Sequence, residues 1–110
     1  MKTHLLFICS GDKDRSPAAA DLFRHSDKYI ARSAGTHFDA KKKITQKMLD
    51  WAGLIFVMSE GTNRHLTYIK NNFAIKRKRI YDLHVRDMYL RNDPRLHKLL
   101  KRRISKIIDL

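Results

Sequence analysis

A short apolar run followed by a tight loop constrains the fold of this chain more than any other stretch. Leu5–Cys9 is apolar throughout, as expected for a strand that is buried on both faces of a parallel sheet. The loop Cys9–Arg15 follows, and Ser16-Pro17 then predicts a helix start, with serine as the N-cap and proline at the first helical position. The sequence therefore predicts a strand–loop–helix unit whose loop runs from a cysteine to an arginine.

A loop of this kind is suited to binding phosphate. Its backbone N–H groups converge on an anion, aided by the positive end of the helix dipole, and Arg15 adds a planar two-point hydrogen bond. The same donors stabilise a sulfur anion, so Cys9 is predicted to be a nucleophile. Ser16 is placed to donate a hydrogen bond to the Cys9 sulfur, and Gly11 is expected to supply a positive φ. The alternative is that Cys9 is only a small buried residue at a strand end.

Composition limits the class of protein. The 110 residues predict one domain, residues 1–110, with a single core. Lys and Arg number 24 against 11 Asp and Glu, a formal charge of +13, which favours an acidic partner such as nucleic acid, a phosphoprotein or an anionic membrane surface. The only cysteine cannot form an intramolecular disulfide and suits a reducing compartment, so we expect a cytoplasmic protein.

Two further classes of feature are not expected. The apolar run Leu5–Cys9 is too short for a signal-peptide core or a membrane span. The six histidines lack the spacing of metal ligands, so no metal site is predicted. His37 and His84 follow predicted strands closely enough to line a site, although solvated side chains explain them as well.

Strands and helices are predicted to alternate along the chain. The predicted strands are His4–Cys9, Tyr29–Ser33, Leu54–Met58 and Arg79–Val85. The predicted helices are Pro17–His25, Lys41–Trp51, Glu60–Asn71 and one that begins at Pro94 with Asp93 as its cap. This order indicates an α/β fold, a parallel sheet with helices on both faces. Ligands of such sheets bind at the carboxyl ends of the strands, where Cys9 and the loop Arg86–Asp93 would meet.

Four segments together resemble one family. They are Cys9-x5-Arg15-Ser16-Pro17, Ser33-Ala34-Gly35-Thr36, Leu54-Ile55-Phe56-Val57-Met58 and Asp87-Met88-Tyr89. In these segments the chain resembles the low-molecular-weight protein tyrosine phosphatases, in a compact form similar to a bacterial branch. The resemblance implies a flavodoxin-like three-layer fold with four parallel strands in the order 2-1-3-4.

The resemblance also implies a phosphomonoester hydrolase that needs neither metal nor cofactor. Cys9 would attack phosphorus, Arg15 would hold the phosphoryl oxygens, and Asp87 would act as general acid and then as general base. Tyr89 would form an aromatic wall beside the substrate, and Ser33 would support the site. The remaining phosphate-binding residues would be those of the loop: Ser10, Gly11, Asp12, Lys13, Asp14 and Ser16.

The chain departs from the family pattern at three positions. Asp12 replaces an asparagine that holds the loop in shape, Asp14 replaces a second cysteine, and Met88 replaces the proline of the acid loop. Two carboxylates beside a phosphate oppose a dianion, so the alternative function is a weakly active or inactive oxyanion-binding module. Asp82 and Asp93 compete with Asp87 for the acid role, but the first lies in a predicted strand and the second is a predicted helix cap.

Two other functions compete with the phosphatase. The related arsenate reductases share the fold and the loop, but their chemistry needs further cysteines. A protein directed to nucleic acid is favoured by three basic clusters that could follow a phosphate backbone. The clusters are Lys41–Lys43, Lys76–Arg79 and Lys101–Arg103.

Overall fold

Four parallel strands form one sheet in the computed structural model, which describes residues 1–110. The strands are β1 (Thr3–Cys9), β2 (Tyr29–Gly35), β3 (Leu54–Val57) and β4 (Arg79–Asp82). Their order is β2-β1-β3-β4, and β1 pairs in parallel with both β2 and β3. The predicted α/β class and strand order are confirmed.

Five helices connect and follow the strands. They are α1 (Arg15–Asp21), α2 (Gln46–Trp51), α3 (Glu60–Asn63), α4 (His65–Asn72) and α5 (Pro94–Ser105). The predicted start of the last helix is confirmed, because the Asp93 side chain accepts a hydrogen bond from the Arg95 N–H and Pro94 follows the cap. None of these helices has the length and apolar character that crossing a membrane requires.

Alternate residues of β1 enter two separate hydrophobic clusters, as a central strand requires. Leu5, Phe7 and Cys9 pack on one face, in the cluster that also contains buried residues of α1 and α5. Leu6 and Ile8 pack on the other face, in the cluster that contains buried residues of α2 and α4. The helices therefore cover both faces of the sheet, and β1 ends between them at Cys9.

Three of the predicted helices have different boundaries in the structure. α1 begins at Arg15, with Asp14 in the cap position, because the Ser16 hydroxyl bonds to the loop and not to the helix start. It ends at Asp21 and not at His25, because the N–H groups of the next three residues donate to carbonyls three residues before them. α2 begins only after Thr45, whose side chain caps it. The single helix predicted after β3 is broken in two at Arg64, where φ is 56°.

Candidate active site

The sulfur of Cys9 lies at the end of β1 in a buried position. Its side chain accepts a hydrogen bond from the Asp12 N–H at 3.3 Å and lies 2.9 Å from the Ser16 hydroxyl oxygen. A thiolate has no hydrogen to give, so in the reactive form Ser16 is the donor. The predicted contact between Ser16 and the sulfur is confirmed.

The loop after Cys9 turns its first carbonyl oxygens towards the segment that follows β2. The carbonyl oxygens of three consecutive residues, Cys9, Ser10 and Gly11, accept hydrogen bonds from the N–H groups of Thr36, His37 and Lys41 respectively. In a trans peptide the N–H points away from the carbonyl oxygen. The next N–H groups therefore face the other way, and that of Asp12 indeed reaches the sulfur.

Several of these donors have no partner within the protein. The N–H groups of Ser10, Gly11, Lys13 and Asp14 donate to no backbone or side-chain atom. Unpaired N–H groups of a short loop at a helix start form an anion-binding concavity. The loop Cys9–Arg15 is called the cradle below.

The backbone conformation of the cradle corrects one expectation. Gly11 does not have a positive φ; the left-handed residue is Asp12, with φ 54°, a conformation that aspartate tolerates better than most residues. The glycine that the cradle requires is Gly35, at the end of β2. A Cβ atom there would lie 2.5 Å from the Ser10 carbonyl oxygen and 2.6 Å from the Ala40 Cβ.

Arg15 closes the cradle with one edge of its guanidinium free. The residue is only 2% exposed, and its Nη1 donates to the Asn63 Oδ1 at 2.9 Å and to the Val85 carbonyl at 2.8 Å. Burial lowers the pKa of Arg15, while the nearby charges of Cys9, Asp87 and Asp14 raise it. Because Nε and Nη2 have no hydrogen-bond partner, they remain available for two oxygens of an anion.

Asp87 lies beside that free edge. Its Oδ1 is 3.9 Å from the Arg15 Nε, and its side chain is 63% exposed. A cleft of about 370 Å³ opens here, lined by Thr62, Asn63, Arg86, Asp87 and Met88. The Met88 N–H donates to the Arg86 carbonyl, a bond that a proline at this position could not make.

The two competing carboxylates have structural partners. The Asp82 Oδ2 accepts from the Glu60 N–H at 3.2 Å and its Oδ1 from the His84 N–H at 2.9 Å. Asp93 caps α5. Of the three aspartates, Asp87 is thus the one that lies next to Arg15.

Asp12 and Asp14 make hydrogen bonds within the protein. The buried Asp12 carboxylate accepts from the Ser16 hydroxyl at 3.1 Å, and the Asp14 carboxylate accepts from the Arg91 N–H at 2.9 Å. The Arg91 guanidinium in turn makes a two-point ion pair with Asp21. Because of these bonds, the two acidic side chains of the cradle are oriented by α1 and by the segment at Arg91.

Three predicted residues lie at the margins of the site. Lys13 is exposed. Ser33 is 6% exposed and lines a second cavity, beside Asp12, on the β2 side. Tyr89 packs partly against the hydrophobic core, with the Arg95 guanidinium carbon 5.3 Å from its ring centroid, and does not line the cleft at Asp87.

Comparison with known proteins adds a fold relationship. No family model and no curated protein matches the sequence. Among solved structures, YfkJ from Bacillus subtilis has a TM-score of 0.71 at 19% identity, over 97% of this chain and 92% of that one. The low molecular weight protein tyrosine phosphatase SP-PTP from Streptococcus pyogenes has a TM-score of 0.70 at 18% identity, over 99% and 95% of the two chains. The chain has the fold of the low-molecular-weight protein tyrosine phosphatases. The tyrosine phosphatase Wzb from Escherichia coli K30 agrees, with a TM-score of 0.62 at 21% identity over 96% of each chain.

Within this fold, two residues near the cradle are not predicted by the sequence patterns. Asn63 holds Arg15, and the fully buried His65 lies 2.9 Å from the Ser10 hydroxyl. Both residues follow β3, and their position after the carboxyl end of a strand is the sequence feature that could have indicated them. The two histidines singled out from the sequence, His37 and His84, have exposed side chains.

Each basic cluster has one member that binds backbone carbonyls. Lys43 donates to the Thr36 carbonyl, Lys78 to three carbonyls at the end of α2, and Arg103 to the carbonyls of Leu83 and His84. These three cations stabilise loops and a helix end. The other cluster members are exposed: Lys41, Lys42, Lys76, Arg77, Arg79, Lys101 and Arg102.

Proposed function

We propose that the protein is a phosphomonoester hydrolase that acts through a phosphocysteine. The observation that carries the proposal is the convergence of the Cys9 sulfur, the unpaired N–H groups of the cradle and the free edge of Arg15. Asp87 lies next to that edge, as a general acid for a leaving group must. The relationship in fold to tyrosine phosphatases supports the same chemistry.

The proposed reaction has two steps. The Cys9 thiolate attacks phosphorus, the S–P bond forms, the ester P–O bond breaks, and the leaving oxygen takes the proton of Asp87. Water then attacks phosphorus and gives a proton to the Asp87 carboxylate. The S–P bond breaks, inorganic phosphate leaves, and the thiolate is restored. Arg15 and the cradle hold the equatorial oxygens in both steps.

The proposed substrates are aryl phosphates, with phosphotyrosine in a protein as the natural form. Aryl oxygen is a good leaving group for this mechanism, and the cleft beside Asp87 has room for a side chain. We propose that Tyr89, two residues after Asp87 and outside the lining of that cleft, forms the aromatic wall, with Ser33 as a supporting residue. Arsenate reduction is not proposed, because Cys9 is the only cysteine of the chain.

Trapping the intermediate tests this proposal. The protein should hydrolyse an aryl phosphate such as p-nitrophenyl phosphate, and rapid quenching in alkaline denaturant, in which the S–P bond is stable, should leave a phosphoryl group on the peptide that contains Cys9. Turnover without that adduct, or with an adduct on another residue, would contradict the phosphocysteine mechanism.

A second candidate function, an oxyanion-binding module with little turnover, is favoured by one detail of the cradle. The Ser16 hydroxyl has one hydrogen but three acceptors within reach, namely the Cys9 sulfur, the Asp12 carboxylate and the Ala34 carbonyl. A hydrogen given to Asp12 leaves the sulfur without that donor. Phosphate binding without aryl phosphate turnover would select this function.

The exposed cations of the three clusters support an acidic partner, either nucleic acid or an acidic phosphoprotein. The single cysteine supports the reducing environment of the cytoplasm as the proposed compartment. Nucleic acid binding would weaken steeply with salt, because each neutralised phosphate releases counterions. Retention of the protein on single- and double-stranded nucleic acid across a salt series tests this. A slope near zero would exclude nucleic acid and leave the acidic protein.

A further inference from the structure

His65 is the buried histidine that the proposed mechanism does not use. It is the first residue of α4 and has no exposed surface. Its Nε2 lies 2.9 Å from the Ser10 hydroxyl, and its Nδ1 accepts a hydrogen bond from the Ser59 N–H at 3.1 Å. The ring therefore joins the end of β3 to the residue that directly follows the nucleophile.

The hydrogen bonds assign the tautomer of this ring. The Ser59 N–H can only donate, so Nδ1 is the acceptor and carries no hydrogen. Burial, followed by the positive charge of Arg15, lowers the pKa of His65 to about 4, against the opposing charges of Asp82 and Glu60. The ring is therefore neutral near pH 7, and its one hydrogen is on Nε2, which donates to Ser10.

This assignment leaves the Ser10 hydroxyl hydrogen without an acceptor. The hydroxyl oxygen receives the hydrogen of His65, and it has no other side-chain or backbone partner in the protein. Ser10 is itself a cradle residue whose N–H is also unpaired. An oxyanion in the cradle would supply an acceptor for a hydroxyl that the imidazole has already oriented.

The backbone explains why His65 reaches this position. Arg64 separates α3 from α4 in the left-handed conformation. The residue before it, Asn63, holds the guanidinium of Arg15, and the residue after it, His65, holds Ser10. One break between two short helices thus supports both ends of the cradle.

We propose that His65 is a positioning residue, which orients the Ser10 hydroxyl as a hydrogen-bond donor to the phosphoryl group in the cradle. Its effect on phosphate binding is independent of the proposed hydrolase, whereas its effect on turnover rests on that function. Ser10 is the group that touches the ligand. His65 acts through it.

Four variants test this proposal against inorganic phosphate and an aryl phosphate. They are Ser10→Ala, His65→Phe, the double variant, and His65→Gln, whose amide N–H can replace the Nε2 donor. His25→Gln is the matched control, because His25 is exposed and makes no side-chain hydrogen bond. Calorimetry gives the Kd for phosphate, and steady-state kinetics give kcat and KM separately.

Ser10→Ala and His65→Phe should each weaken phosphate binding about tenfold, the effect of losing one hydrogen bond to a charged group. The double variant should be no weaker than either single variant, since both remove the same interaction. His65→Gln should recover most of the affinity, and His25→Gln should match the wild type. Recovery by Gln separates positioning from packing, and if His65→Phe does not fold, Ser10→Ala and His65→Gln still decide the matter.

Two results would overturn the proposal: wild-type affinity in Ser10→Ala, or effects of the two single variants that multiply in the double variant. A wild-type protein that binds phosphate with these dependences but has no turnover would refute the hydrolase and leave the positioning role standing. Turnover through a Cys9 adduct, with unchanged phosphate affinity in all variants, would refute the positioning role and leave the hydrolase standing.

Discussion

The cradle and the loop that carries Asp87 differ in how firmly the protein holds them. In the cradle, Cys9 and Arg15 are 3% and 2% exposed, and three consecutive carbonyls are bonded to the segment after β2. In the loop Arg86–Asp93, the acid loop, the Asp87 side chain is 63% exposed and Met88 and Leu90 are 67% and 74% exposed. The groups that would bind phosphate are thus preorganised, whereas the group that would move a proton lies on the surface.

This contrast separates binding from proton transfer. Preorganised donors need no rearrangement to receive an anion, so substitutions that remove or displace these donors should change phosphate affinity and stability. An exposed acid acts only when a leaving group is present, so substitutions in the acid loop should change kcat more than phosphate affinity.

The largest effect is expected when the nucleophile is removed and the rest of the cradle is kept. Cys9→Ser should have no detectable turnover of aryl phosphate, because a hydroxyl at this position is a far weaker nucleophile than a thiolate. It should still bind inorganic phosphate by calorimetry, since the N–H groups and Arg15 are unchanged. Full activity in this variant would contradict the mechanism, and loss of phosphate binding would contradict the independence of the cradle.

The next effect is the loss of stability of the folded protein at acid pH that is caused by His65, beside the cradle. With its pKa lowered to about 4, His65 excludes a proton that it would bind in the unfolded chain below its ordinary value of 6.5. The contribution of His65 to the free energy of unfolding is therefore complete above about pH 6.5 and is lost as the pH falls towards 4. The loss amounts to about 3 kcal/mol at most. The charged groups that act on the ring are Arg15, which lowers the pKa of His65, and Asp82 and Glu60, which raise it.

Urea unfolding between pH 4 and pH 7 measures this loss. The free energy of unfolding of the wild type should fall more steeply with acid than that of His65→Gln, which has nothing to titrate at this position. Comparison of the two proteins cancels the carboxylates that both contain. Parallel curves would show that His65 is not held neutral by its surroundings.

Asp87→Asn should affect catalysis alone. Loss of a general acid costs roughly a hundredfold in kcat, and the Kd for phosphate should change little, because Asp87 makes no hydrogen bond to the cradle. Asp82→Asn and Asp93→Asn are useful comparisons, since these residues hold α3 and α5 and should lower stability instead. A normal kcat in Asp87→Asn would assign the acid to another residue.

The parts of this structure that the sequence predicts are those with a local cause. Buried strands such as β3 appear as apolar runs, α5 has a proline after a capping aspartate, and Cys9 and Arg15 are joined by a short loop. The Ser10–His65 contact spans 55 residues and depends on a left-handed Arg64, a conformation that its residue type does not indicate. Gly35 is required because the Ser10 carbonyl, 25 residues earlier in the chain, approaches it closely. No local sequence pattern indicates such a contact.

Gly35→Ala tests how rigid the cradle is. The new Cβ would meet the Ser10 carbonyl and the Ala40 side chain at less than 3 Å, so the cradle must shift. Overpacking of this kind typically costs about 2 kcal/mol, measured by urea unfolding, and should also weaken phosphate binding. Gly61→Ala is the control, because its Cβ would meet nothing within 4 Å and alanine favours the helix. Equal stability of the two variants would show that the cradle backbone can shift at little cost in free energy.

The smallest effect should come from the rim of the acid loop. Arg86 lines the cleft beside Asp87 but is exposed and makes no ion pair, so it can attract an acidic substrate only through solvent-screened charge. Arg86→Ala should raise KM for a phosphotyrosine peptide with acidic neighbours up to about fivefold and leave kcat unchanged. Both constants for p-nitrophenyl phosphate should stay the same. The difference in KM between the variant and the wild type should vanish at high salt, where the Debye length shortens to about 3 Å. Lys47→Ala removes an exposed cation outside the cleft and should change neither constant. A salt-independent fall in kcat would instead show that Arg86 orients Asp87, and that the acid loop is held more firmly than its exposure indicates.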